Sequence, residues 1–131
     1  MIVLDTHAWI WYLDSPSKLS TSARQAIEGA RREKTVYVCS ISTWEIYMLV
    51  SGGRLAFSVA AEVWVARSER LSFLNFIPVD NEIARLAVDL PGSFHNDPAD
   101  RMIVATARFF SAPLVSKDTK INQYEHVQTI W

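Results

Sequence analysis

A three-layer α/β/α sandwich, with a central parallel sheet of four to five strands, is the fold this sequence predicts. Three observations carry the prediction. The chain opens on Ile2-Val3-Leu4, an apolar run without alternation, as a strand buried on both faces requires. Short runs rich in β-formers then alternate with stretches of helical period, the pattern of parallel strands joined by crossover helices. Half of the 131 residues are hydrophobic, enough to cover a sheet on both sides within one domain spanning 1–131.

The elements follow in order. After the first strand, His7 to Leu13 reads as a short helix, apolar nearly all round, although one core needs only one apolar stripe. Asp14-Ser-Pro-Ser17 is a turn by composition. Ser20 or Ser22 caps a helix to about Arg32, with Ala23, Ala26, Ile27 and Ala30 inside and Arg24, Glu28 and Arg32 paired outside. Thr35 to Cys39 is the second strand, and a helix from near Ser42 runs until Gly52-Gly53 stops it. Val59 to about Arg70 is the next helix, opened by Ser58, and Phe73 to Val79 is a strand placed at the edge by Pro78. Asp80 caps a helix that buries Ile83, Leu86, Ala87 and Leu90. Asp97-Pro98-Ala99-Asp100 is a strong helix start, with Asp at the cap and Pro at the first turn, and the helix continues to Phe110. Ala112 to Val115 is the fourth strand and Val127 to Ile130 a short last one.

The totals bound the function. A formal net charge of −1 supplies no global attraction to nucleic acid, so a phosphate ligand needs a local patch or a metal. Cys39 stands alone, which excludes an internal disulfide and a cysteine-based zinc cluster and fits a reducing, cytoplasmic compartment. No apolar run approaches the ~20 residues of a membrane span, and the N-terminus lacks the features of a signal peptide.

Right-handed crossovers place the carboxyl ends of all strands along one edge, where open α/β sheets bind their ligands. Asp5, Glu45, Asp100 and Asp118 all fall at that edge. Singly, each has a structural explanation: Asp5 as an N-cap, Glu45 as the capping-box partner of Ser42, Asp100 as a first-turn acid, Asp118 in an Asx-turn. Jointly they imply a cation, because unpaired carboxylates crowded together raise the worst-placed pKa by roughly 1–3 units. An all-oxygen donor set points to Mg²⁺ or Mn²⁺ rather than zinc, and such ions serve phosphodiester hydrolysis.

The segments Met1-Ile-Val-Leu-Asp-Thr-His7, Ser40-Ile-Ser-Thr-Trp-Glu45, His95-Asn-Asp-Pro-Ala-Asp-Arg101 with the run to Ala107, and Val115-Ser-Lys-Asp118 resemble, in order and spacing, the signatures of PIN-domain ribonucleases. The nearest branch is the VapC-type toxin of type II toxin–antitoxin pairs. The resemblance implies a single PIN-like domain and a metal-dependent endoribonuclease that cuts structured or single-stranded RNA, usually works as a homodimer and is silenced by a small antitoxin. It maps the acidic quartet onto Asp5, Glu45, Asp100 and Asp118, and a supporting hydroxyl onto Ser116. Many PIN domains carry Asn where this chain has His7.

Around these acids, Thr6 and Asp97 are candidates for support, Asp97 being better explained as a cap. Arg101, Lys117 and Lys120 are candidates for the RNA backbone, with ordinary solvated charge as the even alternative. His7 reads equally as a packed helix-start residue and as a group that touches substrate or donates a proton; His95 is expected as a solvated loop residue, with the same two roles as its alternative. Trp9, Trp11, Trp44 and Tyr47 are expected in core or partner packing ahead of base stacking. Surplus aromatics on the first helix and the helix after Ser42 suggest an apolar groove for an antitoxin helix. Two other readings stay open: a non-catalytic PIN-like module binding RNA or protein, and a haloacid-dehalogenase-like phosphatase, which lacks its second Asp because His7 stands there. No G-x-G-x-x-G supports dinucleotide binding.

Overall fold

The computed structural model describes residues 1–131. Its five strands are β1 (Ile2–Leu4), β2 (Val36–Cys39), β3 (Leu74–Ile77), β4 (Leu114–Val115) and β5 (Thr129–Ile130). They pair in the order β3-β2-β1-β4-β5, and every pairing is parallel. The helices are α1 (Thr6–Asp14), α2 (Thr21–Arg32), α3 (Ile41–Ser51), α4 (Ala61–Glu69), α5 (Asn81–Val88), α6 (Pro98–Phe109) and α7 (Thr119–Asn122).

The lack of alternation in β1 has the expected cause. Ile2 and Leu4 pack on one face with Val36, Val38 and Val115, while Val3 packs on the other with Cys39 and Leu114. Side chains alternate across a strand, so a strand apolar throughout must be covered twice. Residues of α1, α2, α3 and α4 fill the first layer, and residues of α5, α6 and α7 fill the second. The chain walks outward from β1 to β3 and then returns to β4 on the far side of β1. Right-handed crossovers in opposite directions put their helices on opposite faces, and the reversal beside β1 opens a crevice at the strand ends.

Deep packing explains most of the aromatic surplus in α1. Trp9 is fully buried, with its ring 5.0 Å from Trp64 and 5.3 Å from Phe76. Truncating it to Ala removes contacts worth about 3–5 kcal/mol. Tyr12 is buried too, and its hydroxyl donates to Glu28 at 2.9 Å and accepts from Arg31 at 3.0 Å. Glu28 is thereby drawn inward to Tyr12 instead of pairing with Arg24 or Arg32 along α2. No helix is long and apolar enough to cross a membrane.

Several boundaries differ from the sequence expectation for local reasons. The turn after Asp14 tightens into a 3₁₀ turn at Pro16–Lys18. α3 begins at Ile41, and α4 begins at Ala61 without a side-chain cap, leaving Ser58 outside. β3 is shorter than Phe73 to Val79, stopping just before Pro78, and it does lie at the sheet edge. α3 ends on Gly52, and Gly53 follows at φ +71°, a conformation that glycine adopts without a Cβ clash. The short α7, unanticipated, is nucleated by Asp118, whose carboxylate accepts from Lys120 N at 2.8 Å and Ile121 N at 3.2 Å.

Candidate active site

The register between β1 and β4 builds the floor of the crevice. Leu4 pairs with Val115, and Asp5 N donates to Val115 O at 3.1 Å, so Asp5 and Ser116 leave the sheet side by side. Crossover helices run back along parallel strands, so their first turns lie at the same edge. The first turn of α6 thus carries Asp100 toward Asp5, while α3 contributes Glu45 and the start of α7 contributes Asp118. All four acids and Asp97 line one cleft of about 580 Å³, together with Thr6, His7, Trp11 and Lys117.

Each carboxylate is held by a neighbour. Asp5 caps α1, accepting from Ala8 N at 2.8 Å, and it is buried. That burial pushes its pKa up to about 6; hydrogen bonds from Ser116 and Ala8 and the nearby His7 offset part of the rise, while Glu45 adds to it. Glu45 accepts from the hydroxyl of Thr6, which also lies 2.9 Å from Ser42 Oγ. Ser42 is fully buried, so the expected capping box with Glu45 is not formed: α3 starts one residue early and turns both side chains toward α1. Ser116, likewise fully buried, also accepts from Asp118 N at 3.1 Å.

Asp100 is the most perturbed group. Burial, and then the charges of Asp97, Asp118, Glu45 and Asp5, raise its pKa to about 7. His95 Nε2 lies 3.2 Å from its Oδ2. Asp97 N donates to His95 Nδ1 at 3.2 Å, which leaves the imidazole proton on Nε2, facing Asp100. The approach is not aligned for a hydrogen bond, so that buried Nε2 has no hydrogen-bond partner. No lysine or arginine forms an ion pair with Asp5, Glu45, Asp100 or Asp118.

Three expectations are corrected. Arg101 is not free for RNA: its Nε donates to Ala87 O at 2.8 Å and its terminal nitrogens to Phe94 O, His95 O and Val88 O at 2.9–3.1 Å. It clamps the end of α5 and the loop before α6, with four of its N–H donors already committed. His95 is not a solvated loop residue, because Asp97 and Asp100 hold it against the cleft. His7 is not packed; it is exposed at the cleft. Asp97 does cap α6, accepting from Asp100 N at 3.1 Å. Of the lysines, Lys117 lines the acidic cleft, whereas Lys120 lines a neighbouring hollow with His95, Gln123 and Tyr124. Trp44 and Tyr47 face a groove shared with Val65 and Phe76, between α3 and α4 rather than between α1 and α3. Trp11 packs against the core as expected, but its part-buried ring also lines the cleft; its i,i+4 spacing from His7 is the signal that the two share a face.

The residues fit a hard divalent cation. The donors are all oxygen, two of the carboxyls are held protonated toward neutral pH by burial and mutual repulsion, and no protein cation relieves them. The acids do not close into a ready-made cage. Mg²⁺ does not need one, since it takes one or two carboxylates and keeps several waters.

Comparison with known proteins gives the family and the fold. Residues 2–127 match the family model of the PIN domain. The chain is 34% identical to Ribonuclease VapC22 of Mycobacterium tuberculosis, covering 99% of this chain and 98% of the relative. Its fold is similar to VapBC2 of Rickettsia felis bound to a promoter DNA fragment, with a TM-score of 0.69 at 18% identity over 98% of this chain and 97% of the other. A toxin–antitoxin complex from Klebsiella pneumoniae superposes with a TM-score of 0.64 at 18% identity, over 97% and 95% of the two chains. On the sequence match and the cleft together, the chain belongs to the PIN domain family, in its VapC-type branch.

Proposed function

We propose that the protein is a Mg²⁺- or Mn²⁺-dependent endoribonuclease and the toxin of a type II toxin–antitoxin pair. The observation that carries the reading is Asp100, held near neutral pKa by burial and by four other acids around one cleft. Protonation relieves such repulsion below that pKa, and a divalent cation relieves it above. The VapC-type relative is named a ribonuclease, and the similar folds include a toxin–antitoxin complex.

Asp5, Glu45, Asp100 and Asp118 hold the ion through their oxygens. When bound, it lowers the pKa of a water and neutralises the charge of a phosphodiester undergoing in-line displacement. Thr6 fixes the Glu45 carboxylate, Ser116 fixes Asp5 and the start of α7, and Asp97 sets the first turn of α6. His95 Nε2 lies beside the Asp100 carboxyl and walls it on that side. Lys117 is the cation of the cleft wall placed to meet the RNA backbone. An antitoxin segment fits the groove where Trp44 is 50% exposed beside Tyr47. The exposed Val88 and Phe109, ending α5 and α6, are the apolar surface for a homodimer in the cytoplasm.

Purified protein incubated with RNA tests the reading. Cleavage in Mn²⁺ that EDTA abolishes is expected. Binding without cleavage in any divalent ion makes the chain a non-catalytic module, and release of phosphate from p-nitrophenyl phosphate makes it a phosphatase.

A further inference from the structure

The acidic cleft has one wall that its acids do not explain. His7 and Trp11 sit one turn apart on α1, on the face turned away from the buried Trp9. Their rings are 5.5 Å apart. From the other side of the cleft, Lys117 reaches across so that its Nζ lies 5.7 Å from the centre of the Trp11 ring. Trp131 backs the indole at 5.9 Å. Trp11 is only part-buried, and His7 and Lys117 are exposed. Lys117 stands between Ser116 and Asp118, yet it pairs with none of the acids. An aromatic face and a flexible ammonium, both open to a cleft that is otherwise carboxylate and hydroxyl, are the two elements of a single-stranded nucleic-acid platform.

We propose that His7, Trp11 and Lys117 form a base-binding subsite. The Trp11 indole stacks on one unpaired RNA base beside the phosphate presented to the acids, and Lys117 holds the adjoining phosphodiester. This rests on the nuclease reading and deepens it by naming the side chains that hold the nucleotide next to the scission point. Distance supports the assignment. Asp5 and Trp11 are linked by α1, and six residues of helix rise by about 9 Å, so a base on the indole belongs to a nucleotide close to that phosphate. The cation–π contact is a resting arrangement, because the lysine stem lets the ammonium swing to a phosphate while the ring stays fixed by Trp131. Stacking requires an exposed base face, which a paired RNA helix does not offer.

Binding is measured apart from cutting, in an Asp100→Asn background with Mg²⁺, by fluorescence anisotropy of a labelled single-stranded oligoribonucleotide. Trp11→Leu, which keeps apolar bulk without a π face, weakens binding by roughly 5- to 100-fold, and Trp11→Phe keeps most of it. One abasic position in the oligonucleotide weakens binding to the parent but adds no further loss in Trp11→Leu. Lys117→Gln lowers the slope of log affinity against log salt by about one. Urea midpoints of the variants report folding, and Trp11→Phe with the abasic series serves if the leucine variant unfolds. Equal binding by Trp11→Leu and the parent, additive losses with every abasic position, or equal binding of fully paired RNA overturns the subsite. Failure of the wild type to cut RNA removes the nuclease reading itself, whereas wild-type cutting with indifferent Trp11 variants removes the subsite alone.

Discussion

On one side of the first turn of α6, Asp100 faces a cleft of carboxylates that no lysine or arginine pairs. On the other side, Arg101 places its guanidinium against four main-chain oxygens of α5 and the loop that follows it. The two residues adjoin in the chain and answer to different demands. Arg101, part-buried, has its charge met by main-chain carbonyls, and its bonds fasten α5 to α6. Asp100 is left with repulsion that only something outside the chain relieves, as is typical of groups kept for chemistry. Scaffold and site can therefore be told apart here by whether a charged group has its partner within the chain.

Exchanging the two kinds of residue breaks the comparison most sharply. Asp100→Asn should abolish RNA cleavage, beyond the roughly 10- to 100-fold lost when an outer partner of a metal ligand is removed, and leave the metal-free protein at least as stable. Arg101→Ala should do the reverse in kind, lowering stability in urea by about 2–4 kcal/mol because several carbonyls lose a charged donor. If Arg101→Ala instead spares stability and weakens RNA binding, the clamp is not structural and the RNA-contact expectation returns.

The pH dependence of the metal-free protein sharpens the same contrast. Asp5 and Asp100 have folded pKa values of about 6 and about 7, both above the ordinary 3.8. The folded state thus binds their protons more tightly than the unfolded chain does. The stability they contribute is full below about pH 4 and is lost as pH rises through 6 and 7. Unfolding free energies from urea titrations in EDTA should fall over that window by up to about a few kcal/mol, and added Mg²⁺ should restore stability at the upper end. In Asp100→Asn the fall should shrink and should end near pH 6. A wild-type midpoint that rises over this window would show that the acids are already balanced.

The smallest effect concerns the links between helices. Thr6→Val deletes the hydroxyl that holds Glu45 while keeping the shape of the side chain. Mg²⁺ affinity, read by calorimetry, should drop about tenfold with little change in fold. An unchanged affinity would show that Glu45 is positioned by α3 alone.

Much of the scaffold was readable because its causes are local. Asp5 and Asp97 are caps that reach three residues along the chain, and each marks a helix start in the sequence; Asp118 caps α7 just as locally, although the sequence suggested only an Asx-turn there. The same locality misled at Glu45, where a nearby Ser42 suggested a capping box and the true partner lies 39 residues away. Arg101 misled for a similar reason: its place among the acids is visible in the sequence, but the carbonyls of Ala87 and Val88 are brought to it by the packing of α5 on α6.

The order of apolar runs and helix caps by itself determined a parallel sheet with its acids at one edge, because side-chain periodicity and i to i+3 hydrogen bonds act within a few residues. Only the tertiary structure decided which charged groups found partners and which aromatic of α1 stayed open to the cleft. Those outcomes depend on the burial and charge of residues contributed by distant segments, and no stretch of chain carries that information alone.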